Sequence, residues 1–141
     1  LTDVTGVQTC ALPIYTNIVI YVIKRRPLSA LALFNENAGH MAISSITLAE
    51  LMHGAEKSNA PARSLAAVED FCSRLEVLPY GPKAAMHYGN IRAQLESRGQ
   101  TIGVNDLHIA AHARSEGLAL VSNNLREFKR VEALQLANWA I

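Results

Sequence analysis

Asp106 stands in the run Gly103-Val104-Asn105-Asp106-Leu107-His108-Ile109-Ala110-Ala111-His112-Ala113, a turn followed by the first turn of an apolar helix. A carboxylate at a helix start is placed to meet a metal ion or a phosphate-bound metal. Glu50 ends a second strand-to-helix run, Ile43-Ser44-Ser45-Ile46-Thr47-Leu48-Ala49-Glu50. Two acids at corresponding places in two such units point to one shared metal site. Hard oxygen ligands suit Mg²⁺ or Mn²⁺, which keep several waters and bind through a few carboxylates plus substrate phosphates. Such an ion can activate water for attack on a phosphodiester. Each residue also has a plainer reading: Asp106 as a helix N-cap, Glu50 as a solvated helix residue, Asn124 as a turn residue. Residue types and spacing alone leave both readings open.

The other chemistry-bearing groups are less directive. His108 and His112 are four apart on one helix, a spacing that can hold a transition metal. With no third ligand in view, packing or surface roles are the expectation. Lys24-Arg25-Arg26, Arg92, Arg98, Arg114, Arg126, Lys129 and Arg130 can line an RNA groove or simply be solvated.

These groups need a scaffold, and the 141 residues suffice for one domain with a sizeable core. Half the residues are apolar and the formal net charge is +1, so the overall balance points to no nucleic-acid partner, although a local basic patch would suffice for one. Two cysteines, Cys10 and Cys72, give neither a disulfide framework nor metal spacing, which fits reduced thiols in the cytoplasm. No apolar stretch approaches the ~20 residues that span a bilayer, so no membrane association is expected. Leu1 to Ile14 has neither an initiator Met nor the regions of a signal peptide. Within it, Val4 to Ile14 resembles the translation of a common short-read sequencing adapter. Residues 1–14 are therefore expected to be an artefact standing in for a native first strand, with the domain itself running over 15–141.

The periodicity sets out the elements. Thr16 to Ile23 has strand propensity, but Thr16-Asn17 can also cap a helix from Ile18. Pro27 opens a helix that stops near Asn37-Ala38-Gly39. Met41 to Ser44 is a short buried strand, and Ser45 or Thr47 is expected to cap the next helix. Ser58-Asn59-Ala60-Pro61 is a turn. Arg63 to Leu75 is helical, Glu76 to Leu78 a strand, Lys83 to Arg98 a helix closed by Gly99, and Asn105 to Glu116 a helix closed by Gly117. Leu118 to Val121 is a strand, Asn123 to Phe128 a short helical turn, and Val131 to Leu136 a last strand. Strands alternating with helices predict an α/β layer fold with a mostly parallel sheet. In such sheets, sites form beyond the carboxyl ends of the strands, where Glu50, Asp106, Asn123-Asn124 and Tyr15-Thr16-Asn17 can converge.

The chain from Thr16 onward resembles PIN-domain proteins of the VapC toxin type. The matching residues are Thr16-Asn17-Ile18, then Ile43 to Leu51 with Gly54 and Glu56-Lys57-Ser58. They continue with Gly89, Ile91, Arg92 and Leu95, then Ile102, Gly103, Asn105, Asp106 and Ile109 to Ala113. They close with Leu120 to Asn124, Arg126-Glu127-Phe128 and Trp139. No one of these short motifs is specific; their order along most of the chain is.

The resemblance implies a three-layer α/β/α sandwich and a Mg²⁺- or Mn²⁺-dependent endoribonuclease, the toxin of a type II toxin–antitoxin pair. Glu50 and Asp106 match two of the family's acids and would bind the ion. Asn124 falls at the fourth acidic position, where close relatives often carry Asn, and Glu127 is near enough to contribute. Thr16, Asn17, Thr47 and Ser122 fall where the family keeps supporting polar residues. The resemblance also puts Asn17 to Lys24 on a helix. A VapB-type antitoxin, an RNA substrate, with initiator tRNA the first guess, and a homodimeric state are implied. The antitoxin's C-terminal segment would lie in a groove formed by Leu28 to Phe34 and Leu48 to Met52.

One position departs from the pattern. The family's first strand ends in Asp directly before Thr-Asn, and here that position is Tyr15. Asp and Tyr codons can differ only in their first base, so an adapter joined one base into an Asp codon would write Tyr. The expectation is a native Asp, and a chain as written that is less stable and nearly inactive. The competing class is a non-catalytic PIN scaffold that only binds its antitoxin.

Overall fold

The computed structural model of the protein describes residues 12–13, 41–122 and 125–137. Tyr15, Thr16, Asn17, the helices expected before residue 40, the Lys24–Arg26 run and Asn124 lie outside them. Strand β1 is Leu12–Pro13, β2 is Met41–Ser44, β3 is Glu76–Leu78, β4 is Leu120–Val121 and β5 is Leu136–Ala137. Helix α1 spans Ser45–Glu56, α2 Pro61–Cys72, α3 Pro82–Ser97, α4 Val104–Glu116 and α5 Leu125–Phe128.

All three described pairings are parallel. β2 lies between β1 and β3, with Leu12 opposite Met41 and Ile43 opposite Val77. β4 pairs with β5, Leu120 opposite Leu136, and β4 also lies against β1. β2 is buried at all four positions, as expected of a parallel strand covered on both faces. Pro13 has no N–H to give to a ladder, and β1 is only two residues long.

Neighbouring residues of β4 show the layering. Val121 packs with Met41, Ile43, Leu51, Val68 and Phe71, in a core shared by β2, α1 and α2. Leu120 packs with Ile91, Leu95, Ile109, Ala110 and Phe128, in a core shared by α3, α4 and α5. Successive strand residues point to opposite faces, so the strands lie between two helical layers. α4 is buried around much of its circumference, from Leu107 through Ser115, which is why its alanine-rich sequence carries little amphipathic signal.

The element boundaries follow from the caps. The cap of α1 is Ser44, one residue earlier than expected, because the chain is still extended there (φ −72°, ψ 147°) while Ser45 is already helical. Ser44 Oγ accepts the Ile46 N–H at 3.1 Å, and Ser45 Oγ instead accepts the Tyr80 N–H at 3.1 Å. α2 begins at Pro61 rather than Arg63, since Pro is well suited to a first helical turn that needs no N–H. Gly99 (φ +65°) and Gly117 (φ +67°) supply the left-handed residues that follow α3 and α4.

The last strand differs from the sequence expectation. It begins only at Leu136, because residues 129–133 are taken up by turns that carry Ala133 at φ 64°. Those turns continue α5, with Lys129 N–H on the Leu125 carbonyl and Val131 N–H on that of Phe128.

Candidate active site

Asp106 is the third residue of α4, half-buried in its first turn. Gly103 caps the helix without a side chain. Oδ2 of Asp106 lies 4.0 Å from the place a Cβ on Gly103 would take, so the carboxylate folds back over the helix start. The exposed N–H groups and dipole there favour negative charge.

Glu50 comes from the last two turns of α1. Asn105 Nδ2 donates to Glu50 Oε2 at 2.7 Å, which brings Glu50 to the residue next to Asp106. Thr47 lies one turn before Glu50, is 1% exposed, and its Oγ1 has no hydrogen-bond partner among the described residues. Ser122 is fully buried just after β4, its N–H on the Ala137 carbonyl at 2.9 Å. Glu127 lies half-buried on α5.

Further along α4, polar contacts join it to Ser44 at the end of β2, to Tyr80 after β3 and to Tyr88 on α3. His108 Nδ1 is 2.8 Å from the Tyr80 hydroxyl, and His112 Nδ1 is 2.7 Å from Ser44 Oγ. His108 stacks on Tyr88 (4.4 Å, 14°), whose hydroxyl accepts from Arg92 Nη1 at 2.7 Å. Burial pushes both imidazoles below their ordinary range; Arg92 adds to this at His108, and Glu116 and the Pro79 backbone partly oppose it at His112. Through these bonds each Nδ1 ties α4 to a neighbouring segment, Tyr80 after β3 and Ser44 at the end of β2.

The basic residues divide by use. Arg114 donates to His87 Nδ1, Asn90 Oδ1 and the Glu132 carbonyl, which ties α4 to α3 and to the turn after α5. Arg98 pairs with Glu132, and Arg130 donates to the Thr101 carbonyl. Arg92 is exposed but pairs with Glu96 on its own helix and donates to Tyr88, while Arg126 and Lys129 are exposed. In the run expected to line a groove, Leu51 is buried and Leu48 packs on the core, while Met52 is 39% exposed.

The PIN-domain family model matches residues 15–134. The chain belongs to the PIN-domain family. Ribonuclease VapC2 of Haemophilus influenzae (strain ATCC 51907 / DSM 11121 / KW20 / Rd) is 67% identical over 124 residues, covering 88% of this chain and 94% of that protein. The tRNA(fMet)-specific endonuclease VapC of Shigella flexneri is 52% identical over 125 residues, covering 89% and 95%. Among solved structures, the DNA-bound VapBC of Salmonella typhimurium superposes with a TM-score of 0.88 at 50% identity, over 92% of this chain and 98% of that one. Within the PIN family the chain thus groups with the VapC ribonucleases.

PIN-domain ribonucleases use divalent metal, and the described donor set fits a hard cation. Glu50 and Asp106 offer carboxylate oxygens at one helix start. Thr47, one turn before Glu50, adds a buried hydroxyl that has no hydrogen-bond partner among the described residues. Cys72, raised by burial, lies on α2 among the core residues around Val68 and Phe71 and takes no part.

Asn105 and Tyr80 are the residues sequence reasoning left without a role. Asn105 has a visible signal, an amide beside an acid in a first helical turn. Its partner does not, because Glu50 is 55 positions away.

Proposed function

We infer that this PIN-domain chain is the toxin of a type II toxin–antitoxin pair, an endoribonuclease that hydrolyses tRNA with Mg²⁺ or Mn²⁺ and is held in check by a VapB-type antitoxin. A tRNA substrate places the activity in the cytoplasm. The observation that carries the reading is the 2.7 Å bond from Asn105 to Glu50, which sets the Glu50 carboxylate beside the first turn of α4 where Asp106 sits. The names of the Shigella flexneri and Salmonella typhimurium relatives support the substrate and the partner.

Glu50 and Asp106 would hold the cation, with Asn124 and Glu127 completing the donor set. When bound, such an ion supplies positive charge that acidifies a water and offsets charge on the phosphodiester. The chain's own contribution is placement. Asp106 is fixed by helix geometry at an N-terminus whose dipole also favours an approaching phosphate. Glu50 accepts from Asn105, and Thr47 and Ser122 would contribute buried hydroxyls. Exposed Arg92, Arg126 and Lys129 would contact RNA phosphates.

Tyr15 favours a second reading, a PIN scaffold that binds antitoxin without cutting. A phenol at the position of the family's first acid removes one ligand. We propose that residues 1–14 are adapter-derived and that the native residue is Asp. The test is cleavage of purified tRNA by the chain and by its Tyr15→Asp form, with Mg²⁺ and with EDTA. Cleavage by the Asp form that EDTA abolishes supports the nuclease reading. A folded Tyr15→Asp form that cuts nothing supports the scaffold.

A further inference from the structure

We propose that Asn105 is a positioning residue, orienting Glu50 for divalent-cation binding through the bond from Nδ2 to Oε2. The inference rests on the metal-dependent reading above and adds a residue to it.

Three features of the bond carry the argument. First, it is short, 2.7 Å, and it is made by an exposed residue to a partner 55 positions away. An exposed hydrogen bond contributes little to folding, so its consequence falls on where the carboxylate points. A free glutamate side chain samples many rotamers, and a fixed N–H restricts them. Second, the donor is neutral. A lysine or arginine there would offset the charge of Glu50 and compete with a cation, whereas a neutral amide does neither. Third, the bond couples the two acids geometrically. Asn105 and Asp106 are consecutive residues of the rigid first turn of α4, so holding Glu50 by Asn105 fixes α1's acid in the frame of α4's acid.

Further along α4, His108 on Tyr80 and His112 on Ser44 make the same kind of cross-element bond. These two are half-buried and buried, and they belong to the packing. Asn105 alone of the three reaches a carboxylate.

The experiment is a Mn²⁺ titration, followed by the electron paramagnetic resonance of free Mn²⁺, of the chain and of its Tyr15→Asp form. Each is compared with its Asn105→Ala, Glu50→Gln and doubly substituted variants. The expected result is a 10- to 100-fold weaker Mn²⁺ affinity for Asn105→Ala, the range seen for groups that orient a metal ligand. No further loss is expected when Asn105→Ala is added to Glu50→Gln. Melting temperatures should stay within about 4 °C of the parent, since the residue is exposed. Affinity lost in Glu50→Gln but unchanged in Asn105→Ala would overturn the role of Asn105 and leave the metal reading standing. Losses that add in the double variant would also overturn it, because the two residues would then act independently. Mn²⁺ bound by neither parent would overturn the metal reading and this role together.

Discussion

Ser44 Oγ lies 2.7 Å from His112 Nδ1 while also accepting the Ile46 N–H at 3.1 Å. One hydroxyl therefore ends β2, caps α1 and bonds Nδ1 of a buried imidazole of α4. The helix that carries Glu50 and the helix that carries Asp106 are joined through it.

Ser44→Ala is expected to destabilise the fold by about 2 kcal/mol, combining a lost cap with a buried imidazole nitrogen left unsatisfied. Urea unfolding monitored by circular dichroism would measure it. A loss below about 0.5 kcal/mol would mean that neither bond matters to folding.

Stability should fall on acidification from about neutral pH. His87, His108 and His112 are all lowered from an ordinary value of 6.5, each chiefly by burial. At His87 the cations Arg114 and Lys83 add to this, and at His112 Glu116 opposes it. A lowered folded-state pKa means the unfolded chain takes up protons first as pH drops. The stability these groups contribute is thus present above about 6.5 and is lost as pH falls through the lowered values. Melting temperatures measured between pH 7.5 and pH 5 should decline, and His112→Asn should flatten part of that slope. A flat profile for the parent would contradict the buried neutral imidazoles.

In the Tyr15→Asp form, Glu50→Gln and Asp106→Asn should each lower the rate of tRNA cleavage by at least 10- to 100-fold, the usual scale for disturbing a metal site. Circular dichroism of both variants checks that they remain folded. The decisive readout is kcat under saturating Mg²⁺. Full activity in Glu50→Gln would remove that residue from the site.

Phe128, the last residue of α5, is fully buried in the core shared with Ile91, Leu95 and Ile109. Phe128→Ala should cost about 3–5 kcal/mol through lost burial and the cavity left behind. Because Glu127 sits on the same single helical turn, cleavage should fall as well. Chemical denaturation gives the first number, and a cost under about 1 kcal/mol would mean that the layer refills the cavity by collapsing around it.

Much of the frame was legible locally. Met41–Ser44 and Glu76–Leu78 fall where their short apolar runs put them, and Gly99 and Gly117 stop α3 and α4 where the sequence predicts. These features depend on neighbours within a few residues, through apolar periodicity, caps and glycine's freedom at positive φ. Asp106's place in a first helical turn was legible for the same reason. Boundaries failed where local signals competed. Ser44, Ser45 and Thr47 can all cap a helix, and only the extended backbone at Ser44 decides among them. The last strand begins at Leu136 because turns after α5 consume Lys129 to Ala133.

The sequence by itself determined the alternating α/β order, the acids that are candidates for a cation site and, through an ordered series of motifs, the PIN family. Only the tertiary structure decided which polar side chains meet. Asn105 with Glu50, His112 with Ser44 and His108 with Tyr80 are pairs 55, 68 and 28 positions apart. No periodicity links such positions. Their contact is set by how α4 packs against β2, α1 and the segment after β3, and that packing is fixed by apolar residues elsewhere in the chain.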